Sequence, residues 1–199
     1  AEATNFGLKQ SRGEYIAILD DDDFWSRDDK LAMQVAFLDR NLDHTVCGGG
    51  IINIGPDGRE LSRCLKPISY EAIRKKALMA NPMAHSTTLY RRTAALEAGG
   101  YDESLAGFQD WDLWLKLGLR GRLYNFPEYL LNYQIWHGSG SFHQQIGNAE
   151  SALTIVKRYR GKYRYFPAAY TMATLFNVYA HLPLPVKQVS YSFLSRMKK

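Results

Sequence analysis

Apolar positions along this chain switch between a helical rhythm and short unbroken runs, and glycine, proline or aspartate stands at most of the switches. Ala3, Phe6 and Leu8 predict a helix over residues 1–11 that ends near Gly13. Tyr15 to Leu19 has no polar break and reads as a strand covered on both faces, the kind found in parallel sheets. Ser26-Arg27-Asp28-Asp29 has the spacing of a capping box, and Leu31, Gln34, Val35 and Leu38 follow at helical spacing. A strand from Thr45 to Ile54 runs into the turn residues Gly55-Pro56-Asp57-Gly58. Ser69 is a cap for a helix reaching Leu78, and Asn81-Pro82 stops it. Ser86 to Arg91 reads as a strand, Thr93 to Ala98 as a short helix, and Asp110 to Leu119 as a helix closed by Gly121. Two strands are expected at Arg122–Phe126 and Tyr129–Ile135. Three helices are expected after them, at Ala149–Tyr163, Ala168–Leu182 and Val186–Met197.

Strands alternating with helices predict an α/β fold. At 199 residues, with 46% apolar and 23% charged positions, the chain suits one domain or slightly more and excludes wholesale disorder. The net charge of +5 suggests a nucleic-acid partner until it is divided. Residues 1–150 hold 16 basic and 20 acidic side chains, whereas residues 151–199 hold nine basic side chains and no acidic one. An acidic body therefore carries a basic tail, and no groove-reading or base-stacking module is recognisable. Cys47 and Cys64 show no disulfide or zinc spacing, which suits a reducing, cytoplasmic compartment. No apolar run reaches the ~18–20 residues that span a bilayer.

The chemistry concentrates at Asp20-Asp21-Asp22-Asp23, directly after an apolar run. Ligands of open α/β sheets bind beyond the carboxyl ends of strands. Adjacent carboxylates repel one another, and a hard divalent cation such as Mg²⁺ or Mn²⁺, carrying a diphosphate, relieves that repulsion. An EF-hand loop starting at Asp20 would place Trp25 where glycine is needed and Leu31 where glutamate is needed, so that reading fails. A dehalogenase-type phosphatase box fails at Phe24, its fifth position.

Three segments carry a resemblance. They are Asn5-Phe6-Gly7-Leu8, then Gly13 to Trp25 (GEYIAILDDDDFW), then Lys30-Leu31 with Gln34. Together they resemble family 2 glycosyltransferases of the GT-A fold, in which an N-x-G-L helix leads into G-E-Y-I-A-x-L-D-x-D-D-x-W and K-L-x-x-Q. Gly99-Gly100-Tyr101-Asp102-Glu103, Gln109 to Leu115 (QDWDLWL) and Tyr133 to Ser139 (YQIWHGS) resemble later segments of the family in the same order. The resemblance implies a GT-A sheet, Rossmann-like, mixed and mostly parallel. Its first strand–helix units, which bind the nucleotide base, would precede Ala1, so the chain reads as N-terminally truncated. Residues 1–148 would be the partial catalytic domain and residues 149–199 a basic helical extension.

The implied activity is a metal-assisted, inverting transfer from a nucleotide-sugar donor to a glycan or lipid-linked acceptor. By position, Asp22 and Asp20 would hold Mn²⁺ or Mg²⁺ with His137 as a further ligand. Asp20, Asp21 and Asn5 would contact the donor, and Asp110 would be the catalytic base. His85 and Trp111 are expected on the acceptor side, with Trp114 in the core. His143 is a weaker candidate than His137 for the metal. Thr4 replaces the family's arginine and Gln109 its glutamate beside the base. Arg74-Lys75-Lys76 and Arg91-Arg92 read as solvated faces. In residues 157–199, basic side chains interleave with Tyr159, Tyr163 and Tyr165 beside an apolar helix, which suits an anionic membrane surface and not nucleic acid. Two other readings of the same residues stay open: a phosphatase or nucleotidyltransferase using the acid cluster, and a non-catalytic basic module that binds membrane or RNA.

Overall fold

A computed structural model describes residues 1–135 and 145–183. Helix α1 (Glu2–Gln10) leads to strand β1 (Tyr15–Ala17), the acidic turn, strand β2 (Phe24–Trp25) and helix α2 (Lys30–Arg40). Strands β3 (His44–Ile54) and β4 (Glu60–Cys64) form a hairpin, followed by helix α3 (Tyr70–Lys76). A short 3₁₀ turn (His85–Thr87) enters strand β5 (Leu89–Arg91), helix α4 (Arg92–Glu97) and helix α5 (Gln109–Gly118). Strand β6 (Arg122–Gln134) and helices α6 (Gln145–Arg158) and α7 (Phe166–His181) complete the described chain. The helix expected at Val186–Met197 lies outside the described residues.

The sheet order is β1-β5-β3-β6-β2, with β4 paired to β3. The α/β class and the mixed sheet are as expected, but the parallel majority is not. Among the described residues only β3 and β6 run parallel; β1–β5, β3–β5, β3–β4 and β2–β6 are antiparallel. The hairpin turn at Gly55–Gly58 forces one of these, since a tight turn can join only antiparallel strands. Strand β1 lies at the end of this order with one neighbour. It is accordingly half-covered: Ile16 is buried, Ala17 and Leu19 are exposed, and burial on both faces does not hold. The two strands expected after Arg122 are one.

Neighbouring residues of β3 point to opposite faces, and the two sides of the sheet follow from that alternation. Val46 joins Leu8, Ile16, Tyr90, Leu113 and Trp114 on the α5 side, while Cys47 packs with Leu38 and Leu89 on the α2 side. Gly49 and Gly50 permit a close approach: a Cβ on Gly49 would lie 2.6 Å from Leu130, and one on Gly50 would lie 3.0 Å from the Cys64 carbonyl. Ser69 caps α3 by accepting from the Ala72 amide. Ser26 does not cap α2, because its hydroxyl donates instead to the Tyr129 carbonyl at 2.7 Å; Asp29 holds the cap position. Arg91 is not a solvated cation. Its guanidinium donates to the carbonyls of His44 and Leu38 and to the Tyr15 hydroxyl, clamping β5 to its surroundings.

The boundary expected between residues 148 and 149 falls inside α6. Ala152, Ile155, Val156, Ala169 and Ala173 of α6 and α7 share one core with Trp111 and Leu115 of α5. Asp112, fully buried on α5, accepts from Arg158 at 2.8 Å and from the Tyr159 hydroxyl at 3.0 Å, and it pairs with Lys116. Arg158 also reaches Asp102 at 2.7 Å. Part of the tail's positive charge is thus bound to the acidic body.

Candidate active site

The turn from Asp20 to Asp23 is closed by the Asp23 amide donating to the Asp20 carbonyl at 3.2 Å. Pairing of Phe24 and Trp25 with β6 fixes its far end. Ser86 fixes the near end: its hydroxyl donates to Asp20 Oδ2 at 2.8 Å and accepts from the Asp20 amide, while its carbonyl accepts from Trp25 Nε1. Burial pushes the Asp20 carboxyl up, but hydrogen bonds from His85 and Ser86 and the His85 charge outweigh it and hold the group below its ordinary value. Asp21 is exposed and Asp22 half-buried.

Asp23 is buried, and its Oδ2 has no hydrogen-bond partner among the described residues. Burial raises its carboxyl to about 6; bonds from Ser86 and the Gln134 amide oppose the rise, while the charges of Asp20 and Asp22 add to it. An orphaned carboxylate oxygen among like charges is the chemistry a bound cation would compensate. Among the described residues no three His, Cys, Asp or Glu side chains converge as a complete metal cage. The turn therefore fits an ion held by one or two carboxylates and otherwise by phosphate oxygens and water, the manner in which Mg²⁺ is commonly bound.

Across a cleft of about 340 Å³ from this turn stands Asp110, in the first turn of α5. Phe108, which opens that helix, has φ 57°, a left-handed conformation that favours glycine. Asn81 donates to Asp110 Oδ2 at 2.6 Å and accepts from the Met83 amide through its own side-chain oxygen. The Asn81 carbonyl accepts from Lys66, 3.4 Å away, and both side chains line the cleft. Buried Asn125 donates to the carbonyls of Pro67 and Pro82, tying down the two segments that carry Lys66 and Asn81. Gln109, which also lines the cleft, donates through its amide to the Leu105 carbonyl at 2.7 Å.

His85 bridges the two sides. Its Nδ1 lies 3.2 Å from Asp20 and its Nε2 3.0 Å from the Tyr101 hydroxyl, so both ring nitrogens are engaged. Burial lowers its pKa, but the bond to Asp20 and the charges of Asp110 and Asp20 raise it more, for a net increase. Asn5 is placed differently from expectation. Its amide donates to the Tyr101 carbonyl and to Glu103, and its oxygen accepts from the Tyr101 amide at 2.9 Å. Both polar atoms of its side chain are engaged inside the fold. It holds Tyr101, which holds His85, which holds Asp20. A Cβ on Gly100 would lie 2.5 Å from the Asn5 oxygen, so the glycine at that turn is required.

Trp111 is also corrected. It is buried, its indole donates to the Ala77 carbonyl at 2.7 Å, and its ring packs against Phe108, so it does not itself line the cleft. Trp114 is in the core as expected. His137 and His143 lie outside the described residues. Residue patterns alone missed Asp23, Lys66 and Asn81 as cleft residues. Asn81-Pro82 signalled only a helix stop, and Asp23 was the fourth member of a run whose other members carried the motif.

Residues 1–99 match the family model described as Glycosyl transferase family 2. An uncharacterized glycosyltransferase of Haemophilus influenzae is 28% identical over 163 residues, covering 80% of this chain and 59% of that protein. The putative glycosyltransferase EpsE of Bacillus subtilis is 32% identical over 147 residues, 71% of this chain and 50% of that protein. The amylovoran biosynthesis glycosyltransferase AmsE of Erwinia amylovora is 27% identical, covering 65% and 48%. The chain spans between 39% and 59% of the length of the first curated relatives it matches. Among solved structures, S. aureus TarS (residues 1–349) superposes with a TM-score of 0.56 at 18% identity, covering 90% of this chain and 50% of that one. The mannosyltransferase PcManGT of Pyrobaculum calidifontis, in complex with GDP-Man and Mn²⁺, gives 0.58 at 17% identity, covering 100% and 60%. At these identities the likeness shows the fold alone, which is the GT-A glycosyltransferase fold. With its acidic turn facing Asp110 across one cleft and residues 1–99 matching the family model, the chain belongs to glycosyl transferase family 2.

Proposed function

We propose that this chain carries the acceptor side and the metal-binding turn of an inverting sugar transfer, from a nucleotide-sugar donor to a glycan or lipid-linked acceptor. The observation that carries the reading is the convergence of Asp20 and Asp23 with Asp110 on one cleft, although some 90 residues separate them in sequence. Asp22 and Asp20 would hold Mn²⁺ or Mg²⁺, with Asp23 Oδ2 beneath them and His137 as an added ligand. When bound, the ion neutralises charge that develops on the departing diphosphate. Asp21, exposed at the rim, is left to contact the donor.

Single displacement at the anomeric carbon needs a base on the acceptor side. Asn81 holds Asp110 Oδ2, which aims the carboxylate and leaves Oδ1 to take the acceptor hydroxyl proton. His85 keeps Asp20 oriented and stands where an acceptor hydroxyl would meet the cleft wall. Lys66 adds a positive charge to the same wall. The outward-facing Met172, Leu175 and Val178 of α7 support a role for the basic tail at an anionic membrane surface, although α6 and α7 also pack on α5.

A panel of nucleotide sugars with Mn²⁺ and glycan primers tests the reading. Sugar transfer by the wild type that is lost in Asp22→Asn, with no phosphatase activity in either, is the expected result. Metal-independent transfer, or release of inorganic phosphate from phosphate monoesters, would refute it.

A further inference from the structure

Beside the cleft lies a second hollow of about 310 Å³, between the segment after α3 and helices α5, α6 and α7. Its walls are apolar: Leu78, Met79, Trp111, Val156, Met172 and Phe176 contribute most of them. The one amide side chain on it is Asn81, and Asn81 and Phe108 line both hollows. The residue that orients Asp110 and the strained residue that opens its helix therefore form the divide between a polar cleft and an apolar groove.

We infer that this groove receives the hydrocarbon chain of a lipid-linked acceptor and so lays the acceptor's sugar end beside Asp110. The inference rests on the proposed sugar transfer and selects the lipid-linked class within it. Adjacency is the first ground, because the groove and the cleft meet at Asn81 and Phe108, which line both. Size is the second. The volume is near the lower end of the ~300–1,000 Å³ usual for small-ligand sites and is narrow for a packed helix ~10–12 Å across. Charge is the third. A phosphate joining chain to sugar would meet the Lys66 ammonium, 3.4 Å from the Asn81 carbonyl on the cleft side. Finally, the apolar surface continues outward along α7, where Met172 is 52% and Leu175 64% exposed, so a long chain is covered beyond the groove itself.

Monomeric farnesyl phosphate is the probe, titrated into the full chain and followed by tryptophan fluorescence, since Trp111 lines the groove. Saturable binding is expected, weakened at least tenfold by Met172→Glu with Phe176→Glu while the circular dichroism and Tm stay unchanged. Met172→Glu alone, at a half-exposed position, should weaken binding severalfold and guards against a misfolded double variant. Inorganic phosphate at the same concentration should not displace the probe. Asp110→Asn should bind it as the wild type does, so a failed transfer assay beside intact probe binding would count against the proposed reaction and not against the groove. The inference is overturned if the wild type shows no saturable binding or if the double variant binds equally. It is also overturned by association only with anionic vesicles, or by binding that emerges only after residues 184–199 are removed, which would make the groove a seat for the chain's own C-terminal segment.

Discussion

Lys30 is fully buried, with its ammonium 4.3 Å above the Trp25 ring and no hydrogen-bond partner among the described residues. Burial lowers its pKa to about 8 from an ordinary 10.5. Its folded value is depressed, so the unfolded chain binds more protons between pH 8 and 10.5, and stability from this residue rises with pH across that window. Lys30→Met should stabilise the protein at pH 7 by about 1–2 kcal/mol, the shift being discounted for the cation–π contact, and the advantage should shrink from pH 8 to 10.5 and vanish above that window. Urea unfolding of both proteins at pH 7 and at about pH 11.5 checks this; an advantage that persists in full at the higher pH would show that packing, not charge burial, is responsible. Asn81 acts through Asp110 rather than on substrate. Asn81→Ala should therefore lower kcat by roughly 10-fold or more with little change in KM, whereas Asn81→Asp should not rescue it.

At the scale of elements, the α5–α6 contact rests on Asp112. Removing it in Asp112→Ala leaves Arg158, Lys116 and the Tyr159 hydroxyl without a shared acceptor. The expected loss is about 2–3 kcal/mol, below the ~3–5 of a fully buried pair because Arg158 is 35% exposed and keeps Asp102. Differential scanning calorimetry should show the loss as a lower Tm. Gly49→Ala should cost about 1–3 kcal/mol, because its new Cβ would press on Leu130 at 2.6 Å and on the Glu128 carbonyl at 3.0 Å. Most elements were legible in sequence because local signals set them: Ser69 as a cap, the Gly55–Gly58 turn, and the periodicity of α5. Their pairing was not. Strand direction depends on which edges meet after folding, and a two-residue strand such as β2 has no periodicity to read. The same limit applied to the site. Asp20, Asp22 and Asp110 stood in dense motifs, but the cleft partners Asn81 and Lys66 are placed by Asn125, which no local pattern connects to them. Asn5 and Trp111 show the converse: their motifs are visible in sequence, but only packing shows that Asn5 binds Tyr101 and Glu103 and that the Trp111 indole binds the Ala77 carbonyl.

The whole molecule divides its charge with purpose. Asp20, Asp23 and Asp110 line the cleft, and among the described residues of the tail Arg158 is bound to Asp102 and Asp112 while Lys157 and Arg160 rest on Tyr170 and Phe166. No helix among the described residues is long and apolar enough to cross a membrane. The proposed contact of the basic tail with an anionic membrane should be sensitive to salt, falling off between 0.05 and 0.5 M NaCl as screening lengths drop below ~10 Å. In the proposed reaction Asp110 is the base of an inverting transfer whose leaving diphosphate is bound by the Asp20–Asp23 turn. The most direct measurement is sugar transfer by the wild type and by Asp110→Asn with Mn²⁺ and a matched donor and acceptor, with the anomeric configuration of the product read by NMR. An inverted product, with transfer reduced at least ~100-fold in Asp110→Asn while donor binding is retained, is the predicted result. A retained configuration, or unimpaired transfer by Asp110→Asn, would contradict it.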